Sequence, residues 1–386
     1  MQGKTDMSAK GGKALVQSDA GAYVAWSGVD QPELTAEGLG CGLLVLRPLS
    51  FALPHYADSH KFGYVLLGSG VAGVLPVATG NASSAARERV VRLEVGDVIA
   101  VRTGDVSWWY NDSDGDADDL SILFMGDTER AVSPGDISYF FLAGGNSVLG
   151  GFDMGLLARS WPGVTKEQAA AVFRSQPAVL LTGLSTKLPG VCPREHDRKG
   201  LVVNAGQVAA GTLETLTAAD LAALGDLGIS AVIGRLDPGA ACAPWVLREG
   251  AAQAVYVARG SAGAGVFLRG RRDAAAGRGG RRGECVRRTA VRGGAHLRRR
   301  QRSRVGVPGQ ERQVRICGFR HFASLYVKWQ SLLIMLSCSH GRPAVEHLTG
   351  DGSVLGGLTA QVLQASLSVA PELVELLGGR SAEPSH

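Results

Sequence analysis

Two stretches of this 386-residue chain occur twice, in the same order. "YVLLGSGVAGV" (Tyr64 to Val74) returns as "YVARGSAGAGV" (Tyr256 to Val266), and "LAGGNSVLGGF" (Leu142 to Phe152) returns as "LTGDGSVLGGL" (Leu348 to Leu358). The two offsets are similar, 192 and 206 residues, so the chain reads as one domain encoded twice. Two domains also suit the length, since single domains usually run to roughly 100–200 residues. The boundary falls near Pro177 to Arg198, giving a first domain over 1–180, a linker over 181–198 and a second domain over 199–386.

Within the first copy, short apolar or alternating runs are separated by Gly, Asp and Asn: "GLLVLRP", "KFGYVLLGSG", "RVVRLEVGDVIAVRTGD", "VSWWYND" and "LSILFMGD". Alternation puts every second side chain on one face of a strand, and the intervening residues form turns. The pattern predicts an antiparallel β-barrel or sandwich. A helix follows, because Thr165 and Gln168 can close a capping box and Ala169, Val172 and Phe173 then share a face. The second copy ends on "LTAQVLQASLSVAPELVELL", where Val362, Leu363 and Leu367 share a face and Pro371 suits a helix start. The fold class is mainly β, each copy a barrel followed by helices.

Several of these segments carry a family resemblance: "YVAW" (Tyr23 to Trp26), "ALPHYADSHKFGYVLLGSG", "EVGDVIAVRTGDVSWWYND" and "QVLQASLSVAPELVELL". Over residues 20–268 and 344–377 the chain resembles the plant legumin-type seed storage globulins of the bicupin family, especially a shorter legumin-like subgroup without a signal peptide. That resemblance implies two jelly-roll barrels per chain, helical extensions that join subunits into trimers, and a nutrient-reservoir role.

Enzymatic cupins resemble one another in holding a metal with three histidines and a glutamate. Laid on this sequence, their motifs leave His55 at one ligand position and Ala57 at the next, with Lys61 or Phe62 at the acidic one. The second motif falls on Gly96, Arg102, Gly104, Ser107 in place of histidine, and Asn111; in the second copy Trp245 and Leu247 stand at histidine positions. A transition metal needs at least three N, O or S ligands. The expectation is therefore no catalytic residue, no metal and no cofactor. The Asn-Gly dipeptide at which vacuolar legumins are cleaved is absent from the chain.

The charge is uneven. Arg269 to Arg320 holds seventeen arginines, no lysine and three acids, a balance of +14 within a chain whose total is +5, so everything else is −9. Within it, "RGRRDAAAGRGGRRGECVRRTAVRGGAHLRRRQRSR" could neutralise phosphates and stack on bases, which makes RNA binding an alternative reading. Against it, the run stands where the first copy has barrel strands, and nothing comparable to those strands follows it. An arm is better appended than substituted for a core. Arginine, glycine and alanine without lysine are what GC-rich codons give out of frame, so 269–343 reads as a frameshifted or mis-spliced insert, disordered, which leaves the second barrel incomplete. Nucleic acid is accordingly disfavoured as a partner, and a homo-oligomer is expected.

No apolar run reaches the ~18–20 residues of a membrane span. The start lacks a secretory leader, and six scattered cysteines form no disulfide framework, so the expected location is cytoplasmic. "GSGVAG" (Gly68 to Gly73) matches a dinucleotide fingerprint, yet "VLPVATG" follows instead of a helix, so it reads as a hairpin turn. Cys317, His321, Cys338 and His340 fit no common zinc spacing. His55, with His60 and Asp58, reads as a surface or rim histidine, and Trp108 and Trp109 as packing. The competing functional reading is a degenerate cupin enzyme or small-ligand binder with His55, Ser107 and Trp108 near the mouth of the first barrel.

Overall fold

The computed structural model describes residues 10–76, 87–161, 163–206, 212–239, 245–247, 252–259, 261–267, 286–292, 313–317, 322–327, 331–338 and 345–347. The first copy contains β1 (Lys10–Gly11), β2 (Lys13–Ser18), β3 (Gly21–Trp26), α1 (Pro32–Glu37), β4 (Leu39–Leu46), β5 (Ser50–Ala57) and β6 (His60–Leu67). It continues with β7 (Gly70–Leu75), β8 (Arg89–Leu93), β9 (Asp97–Val101), β10 (Val106–Asn111), β11 (Leu120–Asp127) and β12 (Tyr139–Phe141). The tail comprises a 3-10 turn (Val148–Gly151), α2 (Met154–Arg159) and α3 (Lys166–Arg174). The connecting segment carries β13 (Leu181–Gly183), α4 (Glu195–Arg198) and β14 (Val202–Asn204).

The runs picked out by alternation are the strands. They form two antiparallel sheets, ordered β12-β5-β10-β7-β8 and β14-β9-β6-β11-β4-β3-β2, that face each other as a jelly roll. Between them lies a core that includes Leu44, Val65, Ile99, Trp109, Ile122 and Phe124. "GSGVAG" is a turn, but a corner and not a hairpin: β6 and β7 belong to different sheets. Gly68 makes it possible with φ +73 at a point where a Cβ would lie 2.5 Å from the Asp119 carbonyl oxygen.

The second copy contains β15 (Thr212–Leu216), α5 (Ala222–Leu227), β16 (Ile229–Leu236), β17 (Trp245–Leu247), β18 (Ala252–Arg259), β19 (Ser261–Phe267), β20 (Val286–Arg292), β21 (Gln313–Cys317), β22 (Phe322–Val327), β23 (Ser331–Cys338) and β24 (Val345–His347). The duplication read from the sequence is drawn in the backbone. Both copies have a strand, a six-residue helix ending on a left-handed glycine (Gly38, Gly228) and an eight-residue strand. β18 and β19, the strands on either side of the repeated "GS", again belong to different sheets.

One expectation is corrected here. Beyond Phe267 the sequence promised nothing comparable to the first copy's middle strands, yet the orders β21-β18-β23-β16-β15, extended at β21 by β1, and β24-β17-β22-β19-β20 repeat β9-β6-β11-β4-β3 and β12-β5-β10-β7-β8 of the first copy. The physical reason is that backbone pairing asks only for extended chain, and "FASLYV" and "SLLIMLSC" are rich in strand formers whatever their origin. The rest of 269–343, where disorder was expected, and the second helical tail beyond His347 lie outside the described residues.

The two barrels share a core. Trp26, Leu39, Phe62 and Tyr64 of the first pack with Leu224, Ile233, Tyr256 and Ile334 of the second. Trp26 meets Tyr256 edge to face at 5.8 Å, and Arg102 pairs with Asp226 across the same seam.

Candidate functional site

The four positions inherited from the cupin metal motifs lie inside the first barrel. His55 on β5 is the registered neighbour of Ser107 on β10, beside an irregularity in the ladder between Ser107 and Trp109. Both are buried, at 4% and 0% exposure. The His55 Nδ1 lies 2.7 Å from the Leu53 carbonyl oxygen. A carbonyl only accepts, so Nδ1 carries the proton and Nε2 is left as the acceptor, 3.5 Å from Ser107 Oγ. Burial, helped by the nearby Lys61 charge, holds the imidazole down to about 3. The reading of His55 as a rim histidine is thus overturned: it is a neutral core residue whose ring is fixed by its own strand.

Lys61 comes from β6 and is 1% exposed. Its Nζ rests 4.5 Å from the Tyr139 ring centroid and 5.3 Å from that of Phe124. Desolvation pushes the amine down to about 7, opposed by the Asp58 carboxylate. Ala57 contributes a buried methyl. Asn111 closes the loop after its own strand: its Nδ2 donates to the carbonyls of Leu46 (3.0 Å) and Asp118 (3.2 Å), and its Oδ1 accepts the Ser113 N–H at 3.1 Å.

These residues do not fit a transition metal. The inherited positions offer one imidazole, one hydroxyl, a methyl and, at the acidic position, the amine of Lys61. Among the described residues no group of three or more His, Cys, Asp or Glu could hold a metal ion. The interior is filled instead. Tyr23 and Tyr139 share a 2.6 Å hydroxyl–hydroxyl hydrogen bond, and Trp109 packs on Phe124 at 4.9 Å. A cavity of about 10 Å³ lies among Tyr23, His55, Trp109, Phe124, Tyr139 and Leu180. That is room for about one water molecule.

Trp108 is not at the barrel mouth. It points to the opposite face of β10 from Trp109, where it lies over Gly73, near Phe51, and donates to Glu88 Oε1 at 2.6 Å. His60 and Asp58 form no acid–base pair with His55. His60 Nδ1 accepts the Thr103 N–H at 3.0 Å, and Asp58 accepts the Val132 and Ser138 N–H groups. Trp245 and Leu247 lie in β17. The side chains of Cys317, His321, Cys338 and His340 lie outside the described residues.

Sequence reasoning missed Tyr23, Tyr139 and the depth of Lys61. The available signal was position: Lys61 follows His55 by six residues on the next strand, where it shares an alternate set with Gly63 and Val65 in "SHKFGYV".

Comparison with known proteins agrees with this geometry. The cupin family model matches residues 8–140. The chain is 25% identical to the 12S seed storage protein CRD of Arabidopsis thaliana over 179 residues, 37% of this chain and 39% of that one. It is 28% identical to legumin type B of Vicia faba over 151 residues, 34% of this chain and 30% of that one. The matched region thus spans well under half the length of these curated relatives. Among solved structures, the coconut allergen cocosin superposes with a TM-score of 0.77 at 20% identity, covering 98% of each chain. The fold is the bicupin jelly roll, and the sequence resembles that of legumin-type seed storage globulins.

Proposed function

We propose that this legumin-like bicupin is a non-enzymatic storage globulin, a nutrient reservoir that assembles as a homo-oligomer, trimeric as its resemblance implies. One observation carries the reading. The centre where a cupin enzyme would hold its metal is packed with side chains, and a buried lysine, Lys61, stands at the acidic ligand position. A lysine, a hydroxyl and a methyl supply no anionic ligand there, and a space the size of one water admits no organic substrate. The similarity to the 12S and legumin chains supports the same assignment.

Assembly has its own support in the helical tail. Leu156, Trp161 and Val172 are 54%, 44% and 63% exposed, a concentration of apolar surface on α2, α3 and their connection that a neighbouring subunit would cover. In this reading the tail is the oligomerising element.

Immunoblotting of developing and germinating seeds tests the storage role: the protein should accumulate during filling and fall on germination, and constant low abundance would defeat it. Light scattering on the purified chain tests assembly, with a trimer expected and a monomer contrary. Elemental analysis of the same sample separates the enzyme alternative, since a stoichiometric transition metal would favour that reading.

A further inference from the structure

We propose that β12 is a protonation-controlled latch: with Lys61 and His55 uncharged it seats its aromatic rings over them, and protonating either group releases it. The strand is only three residues long, sits at the edge of its sheet, and its one strand partner among the described residues is β5, through Tyr139↔Ala57, Phe140↔Tyr56 and Phe141↔His55, with a single further bridge from Phe141 to Ser147. All three residues are partly exposed, in contrast to the buried groups beneath them. Tyr139 is the hinge of the cluster: Lys61 Nζ is 4.5 Å from its ring centroid, the His55 ring 5.2 Å from it, and its hydroxyl is held by Tyr23 at 2.6 Å. Phe141 covers His55 from the other side at 5.7 Å.

The surroundings offer little to a buried charge. Among the described residues no carboxylate pairs with Lys61 within 4.0 Å; Asp58, the nearest counter-charge acting on it, is already bonded to Val132, Ser138 and Ser59. β11 presents Phe124, β10 presents Ser107, and β3 presents Tyr23, whose own ionisation burial suppresses. His60 next in the chain is bounded by Asp127, Arg102, Asp105 and Arg130. A cation over a desolvated aromatic face regains only part of what an ion loses on leaving water. A charge on either group therefore favours the form in which β12 is lifted and water enters.

Two pH windows follow. Lys61 is held down to about 7 from 10.5 and His55 to about 3 from 6.5 while β12 is seated. Opening returns both to water. As pH falls, opening therefore grows by up to about tenfold per unit between 10.5 and 7 through Lys61, and again between 6.5 and 3 through His55.

Hydrogen exchange on the full chain reads this at the Leu142 amide, which donates to the Pro54 carbonyl at 2.9 Å directly after β12. After correction for intrinsic rates, its protection should fall in two limbs from pH 9 to pH 4. Lys61→Met should abolish the alkaline limb and leave the acid one, and His55→Leu the reverse. Flat protection in the wild type, or both limbs surviving in both variants, overturns the latch. If His55→Leu does not fold, imidazole NMR on the wild type decides: His55 must titrate with the acid limb, and ordinary titration near 6.5 without a change at Leu142 also overturns it.

Discussion

Arg198 grips Asp97 with both terminal guanidinium nitrogens, each 3.0 Å from a different carboxylate oxygen. Asp97 is almost fully buried, and its carboxylate also accepts the Glu94 N–H and the Asn204 amide. The planar fork suits the two oxygens in a way a lysine cannot copy. Arg198→Ala leaves a buried carboxylate without its cation, a loss of about 3–5 kcal/mol when one partner of such a pair is removed. Arg198→Lys should recover only part of it. Urea unfolding of the two variants measures both, and a loss below about 1 kcal/mol would show the pair to be decorative.

The same contact marks where the first barrel ends. β13 pairs with β5, β14 pairs with β9, and the α4 segment is tied down as Asp197 accepts the Val90 N–H and Arg194 donates to the Glu88 carbonyl. Gly96 and Gly206 approach so closely that a Cβ on the former would sit 2.4 Å from the Cα of the latter. A fragment over residues 10–206 should therefore unfold in one cooperative transition. A fragment over 10–180 should not, because it bares the edges of both sheets and the outer face over Trp108. Near-ultraviolet circular dichroism and urea titration compare them; equal cooperativity would refute the boundary.

Much of this was legible in advance, for one reason: alternation and turn chemistry are local. "VSWWYN" had to place its two tryptophans on opposite faces, and the Thr165–Gln168 capping box formed as read, with both reciprocal bonds in place. The predicted common face on α3 is less simple, since Ala169 is buried while Val172 is largely exposed. What escaped the sequence depends on distant partners. Nothing near Lys61 announces Tyr139, 78 positions later, or that the pair would fill a former metal centre. Asp97 likewise looks like a turn residue until Arg198 reaches it from the linker.

The seam between the barrels should behave as a shared core. Trp26 and Tyr256 are each 1% exposed and meet edge to face. Truncating Trp26 to Ala should cost about 3–5 kcal/mol, and a double-mutant cycle with Tyr256→Ala should return a coupling of about 0.5–1.5 kcal/mol. Strict additivity in urea unfolding would mean that the two barrels do not touch through this pair.

Thiol chemistry should separate two cysteines cleanly. Cys41 is buried in β4, where desolvation pushes its thiol up to about 12, whereas Cys192 is exposed in the linker. The thiolate is the nucleophile, so iodoacetamide at pH 8 should alkylate Cys192 in the folded chain and spare Cys41 until urea is added. Peptide mass mapping reads the outcome, and rapid labelling of native Cys41 would contradict its burial.

The last prediction concerns the arginine-rich range. β20 occupies the place in its sheet that β8 holds in the first copy, where Val90, Val91 and Leu93 are buried. Its sequence, "VRRTAVR", has arginine in both alternate sets, as β8 itself does through Arg89 and Arg92, so strand pattern alone does not separate the two. Composition carries the argument instead: seventeen arginines without a lysine between Arg269 and Arg320 point to nucleotide bias, not selected charge. Sequencing the transcript should show a shifted frame or retained intron across residues 269–343, with the ancestral frame restored near Ala344. An intact message encoding this run would sink that explanation, and salt-sensitive RNA binding lost on deleting 269–304 would then be the measurement to make.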